Sequence, residues 1–529
     1  MSAANPSRPG RDLPVPPLDP GRRRWILMAL MATVMLAAMD TTIVSTAIPQ
    51  IVADLGDFSL FSWVFSIYLL AQTVTIPVYG KLADLVGRKP VLVGGILVFL
   101  AGSVTSAFAW SMVTLIVFRG LQGLGAGSIM ATVNTLAGDL YTVRERARIQ
   151  GWLSSVWGVA AILGPTLGGA FVEYASWPWI FLVNLPVGAV ALPLLIRFLH
   201  EEAVPERHRI DWAGALLTLL AGGTLVFGLL EGGQAWPWLS RQSAFVFTLA
   251  ALLAAATVWV ERRAAEPIMP PWLWRHRTLA GSNLAMIGMG IVLMAPTTFL
   301  PTFGQAVLGL GAITAGLLLA GMSIGWPVAS SLSGRFYLRT GFRDVGLAGA
   351  VLVVLAVGAF LLVTYPGRLL PLFAGQLLLG AGFGLLSTPL LVGGQSTVTW
   401  HQRGVVTSAN IFSRYLGQSL GAALFGAAFN HTLAQRLATA PEAIRAVLPA
   451  DVDSVVGALA GQGEPLPGAA MEYLRRALWA ATRHVYAGAL AVALLTVVVV
   501  ALIPHRFPVA GESGRPAPGV PPDLGALGH

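Results

Sequence analysis

Fourteen stretches of this chain are apolar over roughly the length of one bilayer crossing, and no other feature constrains the fold as much. One helical crossing takes about 20 residues. The runs lie near 25–47, 61–80, 90–109, 112–138, 149–172, 179–197, 212–230, 242–260, 279–303, 312–333, 345–364, 369–393, 404–428 and 484–503. Lipid offers no partner for backbone N–H and C=O groups, so each run must close its own hydrogen bonds as a helix. Of the 529 residues only 11% are charged, against about 25% in a soluble domain. The expected fold class is an all-α polytopic membrane protein. Sixty glycines suit it, because small residues let membrane helices approach closely.

Lysine and arginine give the direction. With the N-terminus inside, 24 of them fall on the cytoplasmic side, 7 on the outer side and 2, Arg119 and Arg414, within runs. Positive residues accumulate in the cytoplasm, so both termini are expected there. The formal charge of +9 belongs to that bias and calls for no nucleic-acid partner. The chain has no cysteine, which excludes disulfides and cysteine metal sites, and no metal site or cofactor is expected. There is no Gly-x4-Gly-Lys-Ser/Thr phosphate loop, which argues against ATP-driven work, and no enzymatic activity is expected.

The chain repeats itself. Gly80-Lys81 through Gly87 and Lys89 recurs as Gly334-Arg335 through Gly341 and Arg343. Gly120 with Gly125-Ala126-Gly127 recurs as Gly375 with Gly380-Ala381-Gly382, and Leu163 to Gly168 as Leu416 to Gly421. The offsets are 254, 255 and 253 residues. This implies two parallel six-helix halves with a substrate site between them near the midplane. Residues 1–24 then read as a disordered cytoplasmic tail and 25–199 as the first bundle. Residues 200–278 are an inserted helix pair with charged linkers. Residues 279–503 form the second bundle, including a long outer loop at 429–483, and 504–529 a second cytoplasmic tail.

Two charges stand deep in the first half. Asp40 lies about seven residues below the outer boundary of the first run, and Arg119 about as far below the same boundary in the fourth. A lone charge at mid-membrane costs about 2.5–3.5 kcal/mol on insertion scales, so the two are expected to pair. Among 24 acidic residues, only Asp40 lies deep in a run, which points to a single proton carrier. In the loop Gly80 to Lys89, the glycines permit a tight turn. Asp84 there can meet Arg88 or the N-terminus of a nearby helix, as a contact that forms in one conformation and breaks in another. Run 4 continues from Arg119 through Gln122 to Gly127. Run 5 carries Gly164, Pro165, Gly168 and Gly169, a bend flanked by close-packing positions. Asn410, Arg414 and Gln418 share one face of run 13 and read as cavity lining, with Gln122. Met286 and Trp326 could add an adaptable apolar wall.

Together these residues resemble the major facilitator superfamily, in particular the fourteen-spanner drug–proton antiporters of the EmrB/QacA type. Met39-Asp40-Thr41-Thr42 with Ala47-Ile48-Pro49 is similar to that branch's first-helix motif. Gly80, Asp84, Gly87, Arg88 and Lys89 resemble the superfamily's signature loop, and Arg119 to Gly127 the fourth-helix motif associated with proton coupling. Gly164-Pro165 to Gly169 resembles the antiporter motif, and Trp177-Pro178-Trp179 with Asn184-Leu185-Pro186 is typical of the branch. There are three departures. Leu85 stands where the loop usually has arginine, Ala160 where the antiporter motif often has glycine, and Leu338 where the second loop copy would need aspartate. The resemblance implies two six-helix bundles plus an inserted pair. It also implies export of small amphipathic, often cationic, compounds against protons across the cytoplasmic membrane, by a monomer. A dedicated lipid or metabolite exporter of the same fold is the alternative.

Overall fold

The computed structural model describes residues 19–56, 60–201, 211–233, 235–264, 266–365, 367, 369–449, 455, 466–505 and 507. Residues 1–18, most of the 200–210 linker, the middle of the outer loop and nearly all of the C-terminal tail lie outside the described residues.

All the regular elements described are helices. The first half comprises α1 (Pro20–Leu55), α2 (Phe61–Val86), α3 (Arg88–Ala107), α4 (Met112–Leu140), α5 (Val143–Tyr174), a short α6 (Trp179–Leu182) and α7 (Asn184–Phe198). Then come α8 (Trp212–Glu231) and α9 (Arg241–Glu261). The second half follows with α10 (Pro271–Arg275), α11 (Arg277–Met294), α12 (Leu300–Ala306), α13 (Ala312–Leu317), α14 (Ala320–Thr340), α15 (Phe342–Leu362) and α16 (Leu369–Ser396). It ends with α17 (Arg403–Ala438), a short α18 (Glu442–Arg445) and a last helix, Gly468–Ala501. A π-helical segment, Ala295–Phe299, joins α11 to α12. It contains Pro296, whose missing N–H removes a regular helix hydrogen bond.

Among the described residues, thirteen helical segments are long and apolar enough to cross a membrane. The apolar run at 404–428 is not among them, although the 36 residues of α17 exceed the necessary length. Its buried Thr407, Ser408, Asn410 and Ser413 lower its hydropathy. Such a helix is stable in a bilayer when those groups face protein.

The boundaries differ from the sequence expectation in two places. Asp19 accepts from the backbone N–H of Arg22 and caps α1, so residues 20–24 are helical and do not belong to a tail. The outer loop is also shorter than 429–483, because α17 runs through Ala438 and the last helix starts at Gly468.

The internal repeat reappears as geometry. Gly87 turns the chain from α2 into α3 with φ of 105°, and Gly341 turns it from α14 into α15 with φ of 98°. Both lie in the left-handed region that glycine alone enters freely. In the first half α4 packs on α2 and α3, and in the second α16 packs on α14 and α15.

The halves meet through α2 with α17 and α5 with α14. Their named contacts lie toward the 80–89 loop. Gly80 abuts Gly404 and Ser408, and Gly151 abuts Pro327 and Ser331. The Tyr337 hydroxyl donates to the Val143 carbonyl at 2.5 Å. Farthest from that loop are Gly158 against Ser323 and the Gln72 amide, which donates to the Tyr415 hydroxyl at 3.4 Å. Beyond Gly158, α5 turns to α1: Gly164 lies against Thr42 and Gly168 against Thr46. The inserted helix α8 packs on both α2 and α17, so it runs along the seam.

Candidate functional site

The deepest site is built around Asp40, which α1 presents inside the first half. Arg119 donates to one Asp40 carboxylate oxygen at 2.5 Å. The Gln122 amide donates to the other at 2.7 Å, and Asn184 reaches that same oxygen at 3.5 Å. Arg119 also donates to Gln122 at 2.7 Å and to the Val64 carbonyl at 3.2 Å. Its guanidinium lies over the Tyr68 ring at 4.2 Å. The Ser103 hydroxyl accepts from Gln122 and Asn184 and donates to the Phe181 carbonyl. Asp40 is 0% exposed and Arg119 1%. Removing a carboxylate and a guanidinium from water is expensive unless the remaining lone pairs and protons are also satisfied. Here six helices, α1 to α4, α6 and α7, supply the network of partners.

Depth along the helices anticipates the Asp40–Arg119 pair. It does not anticipate Gln122, which was expected in a substrate cavity. The structure places it in the pair, because Arg119 and Gln122 are three residues apart on α4 and share a face. Asn184 stood out in the sequence only as part of a motif, and Ser103 not at all. Uncharged amides and hydroxyls carry no depth penalty that would expose them.

A second site closes the seam at the 80–89 loop. The Asp84 carboxylate accepts from the backbone N–H groups of Gly404 and Val405, each at 2.9 Å. Arg88 donates to Asp84 at 2.8 Å, to Asp139 at 2.9 Å and to the Trp400 carbonyl at 2.6 Å, and stacks on the Trp400 ring at 3.5 Å. Arg403 completes the chain by donating to Asp139 at 3.1 Å. Glu201 accepts from the backbone N–H groups of Arg88 and Lys89 at 2.8 Å, which fixes the turn at Gly87. Lys81 pairs with Glu266 at 2.5 Å, tying the turn to the linker after α9. Asp139, Arg403, Trp400 and Glu201 were not singled out in the sequence. Each sits at a helix end or in a loop, where a charge is ordinary.

The antiporter-motif residues divide by face. Gly164 and Gly168 are buried against α1, and a Cβ on either would come within 2.1 Å of Thr42 or Thr46. Pro165 and Gly169 are exposed on the opposite side. Ala160 is fully buried, and its carbonyl accepts from the Thr42 hydroxyl at 3.0 Å, so the departure from glycine is absorbed inside the α1–α5 contact. Among the remaining candidates, Asn410 is buried, while Arg414, Gln418 and Trp326 are half-buried. Met286 is packed in the second half's core, and Trp326 tilts on Phe383. No group of His, Cys, Asp and Glu able to hold a metal occurs among the described residues.

The sequence profile of the Major Facilitator Superfamily matches residues 30–422. The chain belongs to that superfamily. Among the relatives of this superfamily member is the Multidrug transporter protein MdtP of Bacillus subtilis (strain 168), 33% identical over 455 residues, which are 86% of this chain and 84% of that one. Another is Multidrug resistance protein 3 of the same organism, 32% identical over 78% of this chain and 81% of that one. Among solved structures, the human organic anion transporter MFSD10 aligns with a TM-score of 0.56 over 91% of this chain and all of that one, at 14% identity. That last likeness speaks for the major facilitator fold alone.

Proposed function

We propose that this protein is a multidrug exporter of the cytoplasmic membrane that moves amphipathic compounds outward in exchange for protons. The relatives' names, a multidrug transporter and a multidrug resistance protein, support the cargo class. The arginine and lysine bias toward the 80–89 side supports cytoplasmic termini. With that orientation, the contacts between the halves seal the cytoplasmic side, and the conformation described is outward-facing. Alternating access then requires the Asp84–Gly404 contact to break while a contact on the outer side forms.

The observation that carries the proton part is the sealing of Asp40. Hydrogen-bond donors and a guanidinium favour the charged form of any carboxylate, and desolvation favours the neutral form. Asp40 is held by Arg119, Gln122 and Asn184, which come from α4 and α7. Motion of α1 against those helices would part Asp40 from these partners. The packing of α1 on α5 through Gly164 and Gly168 links that motion to the antiporter-motif helix. The Asp40–Arg119 pair thus serves as the proton exchanger, and α5 conveys the movement.

Purified Asp40→Asn protein in proteoliposomes tests this. It should fold, bind a lipophilic dye and fail to accumulate it under an imposed pH gradient. Gradient-driven accumulation at the wild-type rate would remove Asp40 from the mechanism.

A further inference from the structure

One intramembrane charge has no use in this mechanism. Arg414 lies on α17, and eleven residues separate it from the helix start at Arg403, about 16 Å at 1.5 Å per residue. That is close to half of a bilayer's hydrocarbon thickness. Intramembrane arginines ordinarily pair with a carboxylate, as Arg119 does. Arg414 does not: among the described residues no carboxylate lies within ion-pair distance of it. Its Nε is buried with no hydrogen-bond partner, and its guanidinium sits 5.3 Å from the centre of the Tyr415 ring. The Asp40 charge is not available to it, being already neutralised by Arg119.

The position of Arg414 in the seam is specific. Tyr415 accepts the Gln72 amide, which is the last named α2–α17 contact before the halves part. Arg414 is therefore at the level where the seam opens, and its side chain is half-buried. Asn410 and Gln418, one turn away on either side, add amide groups to the same face. Asp40 and Arg119 cancel, so the charge left over at this depth is a single positive one. Arg414 is in hydrogen-bond contact with the Tyr415 side chain while its Nε–H stays unengaged, and a guanidinium matches a carboxylate by two parallel hydrogen bonds.

We propose that Arg414 is the binding group for an acidic head on the cargo, so that the transporter takes amphipathic carboxylates and zwitterions. This rests on the export reading and narrows its substrate class. The cargo supplies the counter-charge that the helix bundle lacks. Asn410 and Gln418 flank the head, and the apolar part of the cargo lies along the open seam. An anionic lipid headgroup offers the same chemistry, and the test separates the two.

The test uses the purified full chain in phosphatidylcholine nanodiscs and two probes, a dansyl-labelled twelve-carbon acid and the amine of the same length. Arg414→Gln should weaken acid binding about tenfold or more while the amine changes by less than about twofold. Arg414→Lys should recover part of the acid affinity, since it keeps the charge but loses the bidentate fork. Unchanged acid binding in Arg414→Gln overturns the assignment. Equal weakening of both probes also overturns it and makes Arg414 structural. If the wild type binds no free acid but retains phosphatidylglycerol in an Arg414-dependent way, the ligand is a lipid headgroup and the cargo assignment is wrong. Gradient-driven transport of the amine in the same preparations tests the export reading separately.

Discussion

Asp84 in the first half closes on Gly404 in the second: its carboxylate accepts the Gly404 backbone N–H at 2.9 Å and the next one, on Val405, at the same distance. The N-terminal amides of α17 have no partner within the helix, and the helix dipole favours a negative charge there. Arg88 binds Asp84 from the other side, so the turn after α2 and the start of α17 are locked together across the seam. The contact is intact only while the halves are closed at this end.

Asp84→Asn removes the charge and one of the two acceptor oxygens. It should weaken the closed seam by about 1–3 kcal/mol, the usual cost of an unsatisfied buried partner. Because the chain has no cysteine, a single Ser408→Cys reports the change cleanly. Labelling of that thiol from the 80–89 side should rise severalfold in the Asp84→Asn background. Identical labelling in both backgrounds would mean that Asp84 does not hold the seam.

Gly80→Ala should act at the same place by volume. Its Cβ would lie 2.1 Å from the Ser408 hydroxyl and 2.7 Å from the Gly404 carbonyl, so the halves must separate there. A bias of about 1.4 kcal/mol changes the conformer ratio tenfold, and transport should fall while each half stays folded. Gly94→Ala is the control. Nothing lies within 4 Å of its Cβ, and alanine favours the helix by about 1 kcal/mol, so transport should be unchanged.

Arg119→Ala should be severely destabilising, by about 3–5 kcal/mol, because it leaves Asp40 buried without its cation. Adding Asp40→Asn should restore much of that loss. The thermal midpoints of the four proteins in one double-mutant cycle measure the coupling. Additive midpoint losses would mean that the two residues act independently.

Gly168→Ala and Gly169→Ala differ by one position and by face. The first puts a Cβ 2.1 Å from the Thr46 hydroxyl and 2.9 Å from the Ile43 carbonyl, and the second meets nothing within 4 Å. Gly168→Ala should slow transport and force α1 from α5, whereas Gly169→Ala should leave the rate as it is. Both rates come from the same proteoliposome assay, and equal slowing would show that the α1–α5 approach is not what matters.

The sequence alone determined what varies along one dimension. Length and hydropathy set the expected number of crossings, the lysines and arginines their expected direction, and a constant offset near 254 residues pointed to two halves. Depth, counted from the ends of the runs, was enough to bring Asp40 and Arg119 to one level, because an unpaired charge in lipid is too costly to leave alone. Tertiary structure alone decided the rest, since hydropathy does not say which helix stands beside which or how each is rotated about its axis. That rotation took Gln122 out of the expected cavity and into the Asp40 pair. It buried Gly164 and Gly168 while leaving Pro165 and Gly169 exposed. It joined Arg88 of the signature loop to Asp139 and, through it, to Arg403, two charges that look unremarkable at their separate helix ends. It also left Arg414 at the opening of the seam with no carboxylate among the described residues in reach, because Asp40 is committed to another arginine.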